Sequence, residues 1–225
     1  MTSPLRIAPA RPRSEASRRA RMALATALIT ALVTALAAPR SASAAALNLT
    51  FTDAAGKPLI DAVALLEAAS GKSPVKPLAD VEISQAKRQF SPRVTLITTG
   101  TRATFPNFDT VRHHVYSFSP AKTFELKLYA GVPGVPLLFD KPGVAVLGCN
   151  IHDTMAAWVV VADTPWFARS AANGRARIDA VPAGAYRLRL WHPGLAPGSE
   201  AAPLALTIGA ADVEHAARLA VSAEP

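Results

Sequence analysis

The sequence predicts an all-β protein, and three observations carry this prediction. Apolar and polar residues alternate over short segments, such as residues 47–52 and 186–191, with the period of a strand that has one buried face. Proline, glycine, asparagine or aspartate separates most of these segments. Twelve such segments occur after residue 46. Many short strands with turns between them favour a β-sandwich or a barrel.

The strand candidates follow one another with few interruptions. They are residues 47–52, 81–83, 93–98, 101–105, 114–118, 124–128, 143–147, 157–161, 176–178, 186–191, 204–208 and 214–221. Turn signals lie at 53–58 and 182–184. Two segments fit either secondary structure: 60–69 suits a strand or a short helix, and 210–215 suits a strand or a helical turn.

Residues 1–44 are expected to form a secretory signal peptide. A basic start precedes an apolar run over 22–38, and Ala42-Ser43-Ala44 has the form of a cleavage site. The alternative is an N-terminal membrane anchor. Ser17-Arg18-Arg19 leaves open whether export follows the general secretory or the twin-arginine route.

The positive charge is concentrated in that leader. It holds seven of the 24 lysines and arginines and one of the 16 acidic residues, so the formal charge of +8 falls to +2 without it. The remaining chain gives no basis for nucleic-acid binding, and no other stretch is apolar enough to span a membrane. We therefore expect a soluble periplasmic protein, without a membrane span after cleavage, and a monomer.

Cys149, His152 and Met155 form a group of potential metal ligands with the spacing C-x2-H-x2-M. After the leader, Cys149 is the only cysteine and Met155 the only methionine. His113 and His114 lie upstream and offer a further imidazole. A thiolate, two imidazoles and a weak thioether are the ligands of a blue-copper centre, whereas structural zinc more often uses several cysteines. The plain alternative is a buried structural thiol.

These residues and their flanks resemble a cupredoxin, the family of amicyanin, plastocyanin and pseudoazurin. The ligand spacing matches the short loop of amicyanin. The similar upstream segments are Phe90-Ser91-Pro92, Gly100-Thr101, Phe105-Pro106-Asn107-Phe108-Asp109, His113-His114-Val115 and Phe139-Asp140-Lys141-Pro142-Gly143. The resemblance covers residues 80–163. The same stretch also resembles cupredoxin-containing proteins that are labelled methylamine utilisation proteins. It implies a Greek-key β-sandwich, and we expect this cupredoxin domain to span residues 80–164.

The resemblance implies that His113, Cys149, His152 and Met155 bind copper, as Cu(I) or Cu(II). Cupredoxins usually have asparagine after the first histidine, where it supports the thiolate; here that position is His114, which makes His114 the alternative ligand. Asn107 and Asn150 are further candidates to support the site. The expected partner is a redox protein, such as a dehydrogenase, a cytochrome or an oxidase.

The flanks resemble the two halves of a carboxypeptidase-regulatory-like or transthyretin-like β-sandwich. Residues 53–59 have the pattern D-x-x-G-x-P-L, and residues 182–194 have P-A-G-x-Y-x-L-x-L-x-H-P-G. We expect a small sandwich formed by 47–79 plus 165–222, interrupted by the cupredoxin domain. The alternative is a cupredoxin with unrelated strand extensions. His192 and His215 have no ligand-like neighbours in sequence and are expected to be structural.

The sequence thus predicts an exported type 1 copper protein that carries single electrons. A periplasmic copper carrier or assembly factor for a redox enzyme is one alternative, and a β-sandwich binding module with a structural copper site is another. We expect no enzymatic activity and no catalytic residue, because the sequence has no Ser/His/Asp motif, phosphate-binding loop or additional histidine cluster.

Overall fold

The computed structural model describes residues 44–221, which form 17 strands and no helix, and the all-β prediction is confirmed. The strands are β1 (Ala44–Thr52), β2 (Val63–Ala68), β3 (Val81–Glu82), β4 (Ser84–Ala86), β5 (Gln89–Ser91), β6 (Val94–Thr98), β7 (Thr101–Thr104), β8 (His113–Ser119), β9 (Lys122–Tyr129), β10 (Leu137–Phe139), β11 (Gly143–Cys149), β12 (Ala156–Ala162), β13 (Trp166–Arg169), β14 (Arg175–Pro182), β15 (Gly184–Trp191), β16 (Leu204–Ile208) and β17 (Val213–Arg218). The expected signal peptide lies outside the described residues except for Ala44. Between residues 44 and 221 there is no helix with the length and hydropathy to cross a membrane.

The two ambiguous segments form strands. Residues 63–68 become β2, and the proposed helical turn at 210–215 is replaced by a bend and the start of β17. Four strands had no counterpart in the sequence analysis, namely β4, β5, β10 and β13. Each has only three or four residues. Such segments are too short to display a hydrophobic period.

Strands from the two ends of the described chain share one core. β1 pairs antiparallel with β14 and parallel with β17. A second sheet, in the order β13–β2–β15–β16, combines strands that precede and follow the middle of the chain in the same way. The core between these sheets includes Leu47, Phe51, Leu66, Leu188 and Ile208.

The middle of the chain builds a second core. A five-stranded sheet has the order β6–β12–β11–β8–β9, and a three-stranded sheet has the order β10–β7–β3. Their shared core includes Ile97, Ala103, Val115, Phe139 and Leu147. Cys149 and Met155 belong to the same cluster. The candidate ligands are therefore part of a packed hydrophobic interior.

Strand β12 is buried on both faces and contacts both the core built by the middle of the chain and the flanking strands. Val159 and Val161 face the second core. Val160 and Ala162 face the other way and pack in a third cluster with Val63 of β2 and Trp191 of β15. A strand buried on both faces is continuously hydrophobic instead of alternating, as the sequence of β12 is.

Gly174 tests the packing of the flanking sheets. Its φ is +73°, and an added Cβ would collide with the carbonyl oxygen of Phe51. Gly56 has a similar φ of +84° but has open space around its Cα. We expect Gly56→Ala to lower the free energy of unfolding by about 1 kcal/mol, through backbone strain alone. Gly174→Ala adds overpacking and should lower it by about 1–3 kcal/mol more.

Urea unfolding of the two variants measures this difference. Equal destabilisation would mean that the backbone near Gly174 shifts to admit the methyl group at no cost in stability. It would contradict the close contact between β1 and the turn before β14.

Candidate metal centre

Strand alternation directs His113 and Cys149 into the same core. In β8, His113, Val115 and Ser117 are buried, whereas the residues between them face outward. In β11, alternate residues from Ala145 to Cys149 are buried. Cys149 pairs with Val115 across the two strands, so His113 lies two residues from the partner of Cys149, on the same face.

The loop between β11 and β12 carries His152 and Met155. The backbone N–H of Met155 donates a hydrogen bond to the carbonyl oxygen of His152 at 2.9 Å, which closes a turn. Met155 is only 2% exposed, whereas His152 is half-buried and its neighbours Ile151 and Asp153 are exposed. The loop therefore turns one side chain into the core and leaves the histidine at its rim.

Three donor atoms converge in this region. One side-chain donor atom each of His113, Cys149 and His152 lies within 4.8 Å of the other two. Cys149 Sγ is 3.8 Å from His113 Nδ1. The two imidazole rings have centroids 5.2 Å apart. The structure thus brings together three of the four expected ligands, and Met155 is buried in the same core cluster as Cys149.

The far side of the His113 ring contacts Asp109. His113 Nε2 lies 2.8 Å from Asp109 Oδ2. The carboxylate also accepts hydrogen bonds from the backbone N–H groups of Lys87, at 2.6 Å, and Arg88, at 2.9 Å. The Arg88 N–H, with further contributions from His113 and Lys87, holds the pKa of Asp109 below its usual value against the opposing effect of burial.

His114 lies on the opposite face of β8 from His113. Its Nε2 is 2.9 Å from a carboxylate oxygen of Glu125 on β9, and its Nδ1 is 3.1 Å from Asn150 Nδ2. Its ring packs edge-on against Tyr116. His114 and Asn150 therefore contact each other. Among the described residues, the cluster of donor atoms contains His113, Cys149 and His152 but not His114.

Asn107 anchors the loop that leads into His113. This residue is 3% exposed, and its side-chain N–H groups donate to the carbonyl oxygens of Val111 and Tyr129. Its Oδ1 accepts from the backbone N–H of Asp109 at 3.0 Å. Asn107 thereby fixes the segment that presents both Asp109 and His113.

A second buried polar group lies behind this loop. Gln85 is fully buried, and its side-chain N–H groups contact the hydroxyl of Tyr129 and the carbonyl oxygen of Phe105. The Tyr129 hydroxyl donates to the same carbonyl at 2.6 Å. Burial raises the pKa of Tyr129 to about 12; the hydrogen bond with Gln85 opposes this rise, and the negative charge of Cys149, when its thiol is ionised, adds to it.

Gly148 allows Tyr116 to lie against the strand that carries Cys149. A Cβ at Gly148 would be 2.6 Å from the Tyr116 ring carbon that bears the hydroxyl. Tyr116 in turn packs against Phe118, with ring centroids 5.1 Å apart. The outer face of the sheet beside Cys149 is therefore covered by an aromatic ring.

The donor set fits a metal ion of borderline to soft character. The separation of Cys149 Sγ and His113 Nδ1 suits two donors that share one ion, because each bond would be about 2.0–2.3 Å long. His152 Nδ1 is buried and has no hydrogen-bond partner among the described residues. Cys149 is a free thiol. An imidazole nitrogen that is buried without a partner carries an uncompensated desolvation free energy. Binding a metal ion together with the neighbouring thiolate would compensate for that cost.

Three residues of this network, Asp109, Gln85 and Tyr129, are not among the site residues predicted from the sequence. Asp109 stands within the quoted segment 105–109, four residues before His113, and this spacing was its only signal. The contacts of Gln85 span 20 residues to Phe105 and 44 to Tyr129. Periodicity within one element carries no information on such contacts. His215 lies in β17, and His192 directly follows β15. His192 accepts from the Gly194 N–H and contacts the Ile60 carbonyl oxygen.

Comparison with known proteins gives similar structures but no family. No protein-family model and no curated protein matches the chain. Among solved structures, the chain is similar to the copper-containing nitrite reductase of Thermus scotoductus SA-01, at 23% identity and a TM-score of 0.35. This match covers 49% of the present chain and only 28% of the nitrite reductase chain.

Two smaller proteins are similar over nearly their whole length. A purple cupredoxin from Nitrosopumilus maritimus matches at 23% identity and a TM-score of 0.32, over 36% of this chain and 99% of its own. A variant of amicyanin in its reduced Cu(I) form matches at 16% identity and a TM-score of 0.33, over 40% of this chain and 96% of its own. These matches have low identity and cover less than half of the present chain.

Tyr129 provides a test of the buried network. Its phenol should ionise near pH 12, about two pH units above an ordinary tyrosine. The phenol keeps its proton to a higher pH in the folded state than in the unfolded state. The stabilisation that results is therefore present below about pH 10 and is lost between about pH 10 and 12. Spectrophotometric titration of tyrosine should lose its highest step in Tyr129→Phe and keep it in Tyr116→Phe. A step unchanged in Tyr129→Phe would contradict the assignment.

Proposed function

We propose that this chain is a type 1 copper-binding protein that carries single electrons in the periplasm. In this proposal His113, Cys149 and His152 would hold the copper, and the thioether of Met155 would be a weaker fourth ligand. Copper when bound supplies one-electron exchange between Cu(I) and Cu(II). The rest of the function is performed by the chain, which sets the positions of the donors and excludes water from them.

The observation that carries the proposal is the burial of a converged His–Cys–His donor set. His113 is 0% exposed, Cys149 3% and Met155 2%. Donors that hand copper to another protein must be reached by its ligands, so burial favours electron transfer over copper delivery. The half-buried His152 is the exception, and we propose that a redox partner protein docks near it.

The scaffold supports an electron carrier. Cys149 ends β11, which pairs with β8 on one side and β12 on the other. Ladder hydrogen bonds on both sides hold the backbone that carries His113 and Cys149. Fixed donors change little between the two oxidation states, and this lowers the rearrangement that accompanies each electron transfer.

Location and domain organisation extend the proposal. Export is supported by the basic, apolar and small-residue segments of residues 1–44. We also propose that 47–79 and 165–222 form one carboxypeptidase-regulatory-like or transthyretin-like sandwich that surrounds the copper domain. The pairing of β1 with both β14 and β17, and their common core, supports this organisation.

Copper loading of the full chain tests the function. With Cu(II), we expect an intense thiolate-to-copper absorption band and an electron paramagnetic resonance spectrum typical of a type 1 centre. Cys149→Ser should abolish the band, because the donor of that transition is the thiolate. The reduced and reoxidised protein should retain its copper in the presence of a chelator.

The adjacent histidines provide a matched pair of variants. His113→Gln should lose the type 1 spectrum, whereas His114→Gln, which changes the opposite face of the same strand, should keep it. A colourless protein that takes up zinc but not copper would contradict the proposal. Loss of Cu(I) to a chelator at each redox cycle would favour the copper carrier instead.

A further inference from the structure

Asp109 joins a candidate ligand to a distant hairpin. One of its oxygens, Oδ2, contacts His113 Nε2 at 2.8 Å and also accepts from the Arg88 N–H at 2.9 Å, whereas Oδ1 accepts from the Lys87 N–H at 2.6 Å. The side chain of Asp109 is 16% exposed, and that of His113 is fully buried. The carboxylate therefore lies between the hairpin and the imidazole.

The hairpin formed by β4 and β5 is shaped to fit this carboxylate. Its two turn residues, Lys87 and Arg88, have φ values of +54° and +58°. Two-residue turns with both φ values positive usually contain asparagine and glycine, because other side chains are strained there. Here the strained turn directs two successive N–H groups at Asp109, which compensates for that strain.

These contacts favour the neutral form of His113 that carries its proton on Nε2. An ionised carboxylate only accepts hydrogen bonds, so His113 Nε2 donates to Asp109. In a neutral imidazole the other nitrogen, Nδ1, then keeps its lone pair. That nitrogen is the one 3.8 Å from Cys149 Sγ.

We propose that Asp109 is a positioning residue that holds the His113 imidazole with its Nδ1 lone pair directed into the donor cluster, and that the Lys87–Arg88 turn fixes Asp109 for this role. The inference rests on the proposed function only in naming copper as the ion. The orientation and tautomer of His113 are expected to be the same in the metal-free protein. A carboxylate on the remote nitrogen makes the imidazole a better donor and favours Cu(II) over Cu(I).

The metal-free protein gives the first test. Nitrogen-15 NMR of the full chain, labelled on histidine, should show that the neutral form of His113 carries its proton on Nε2. In Asp109→Asn this single tautomer should be lost, because the amide offers both a donor and an acceptor. A neutral His113 that carries its proton on Nδ1 in the wild-type protein would overturn the inference. The wild-type spectrum remains decisive even where Asp109→Asn fails to fold.

The copper-loaded protein gives the second test. Asp109→Asn should weaken Cu(II) binding about 10–100-fold. If Cu(I) binding weakens tenfold less than Cu(II) binding, the reduction potential rises by about 59 mV. An unchanged potential and unchanged Cu(II) affinity would overturn the inference while leaving the proposed function intact.

Asp53→Asn is the matched control. Asp53 also accepts two backbone N–H groups, from Ala55 and Lys57, in a turn of the flanking sandwich. The Asp53→Asn variant should change the stability of the protein without changing the His113 tautomer or the reduction potential. An equal rise of the reduction potential in Asp53→Asn and Asp109→Asn would overturn the role of Asp109. A wild-type protein that binds no copper would contradict the proposed function, and the tautomer of His113 would still decide the role of Asp109.

Discussion

The candidate metal centre depends on the two-residue alternation of β8 and β11. His113 begins the inward-facing row of one strand, and Cys149 ends the inward-facing row of the other. A slip of one residue in either strand would direct its donor to the outer face, where His114 lies. The pairing of Cys149 with Val115 fixes the register, and the packed core on the inner face fixes it again. The loop that carries His152 and Met155 then needs to supply only local geometry.

Burial of the sheet on two sides extends this constraint to the whole fold. β12 lies beside β11 and contacts the second core on one face and the cluster shared with β2 and β15 on the other. The flanking strands therefore cover part of the sheet that carries the donors. At the site itself, the Lys87–Arg88 turn, Asp109 and His113 form a continuous chain of hydrogen bonds.

Local sequence patterns contained much of the site and less of the fold. The spacing from Cys149 to Met155 lies within one loop, and the alternation of strands such as β1 and β15 is visible in the hydrophobic pattern. The parallel pairing of β1 with β17 joins residues that are 166 positions apart, as in the Asn48–Glu214 hydrogen bond, and no local period encodes it. The β4–β5 hairpin lacked both a hydrophobic period and the usual turn residues. The part played by Asp109 was hidden for the same reason, since its hydrogen bonds to Lys87 and Arg88 are contacts between separate elements.

X-ray absorption at the copper edge, on the loaded full chain in both oxidation states, measures which atoms of the chain bind the ion. We expect one short copper–sulfur distance and two imidazole nitrogens in Cu(II), with the same ligands and only small changes of distance in Cu(I). A ligand shell of nitrogen and oxygen without the thiolate, or the loss of an imidazole or the sulfur on reduction, would contradict this expectation.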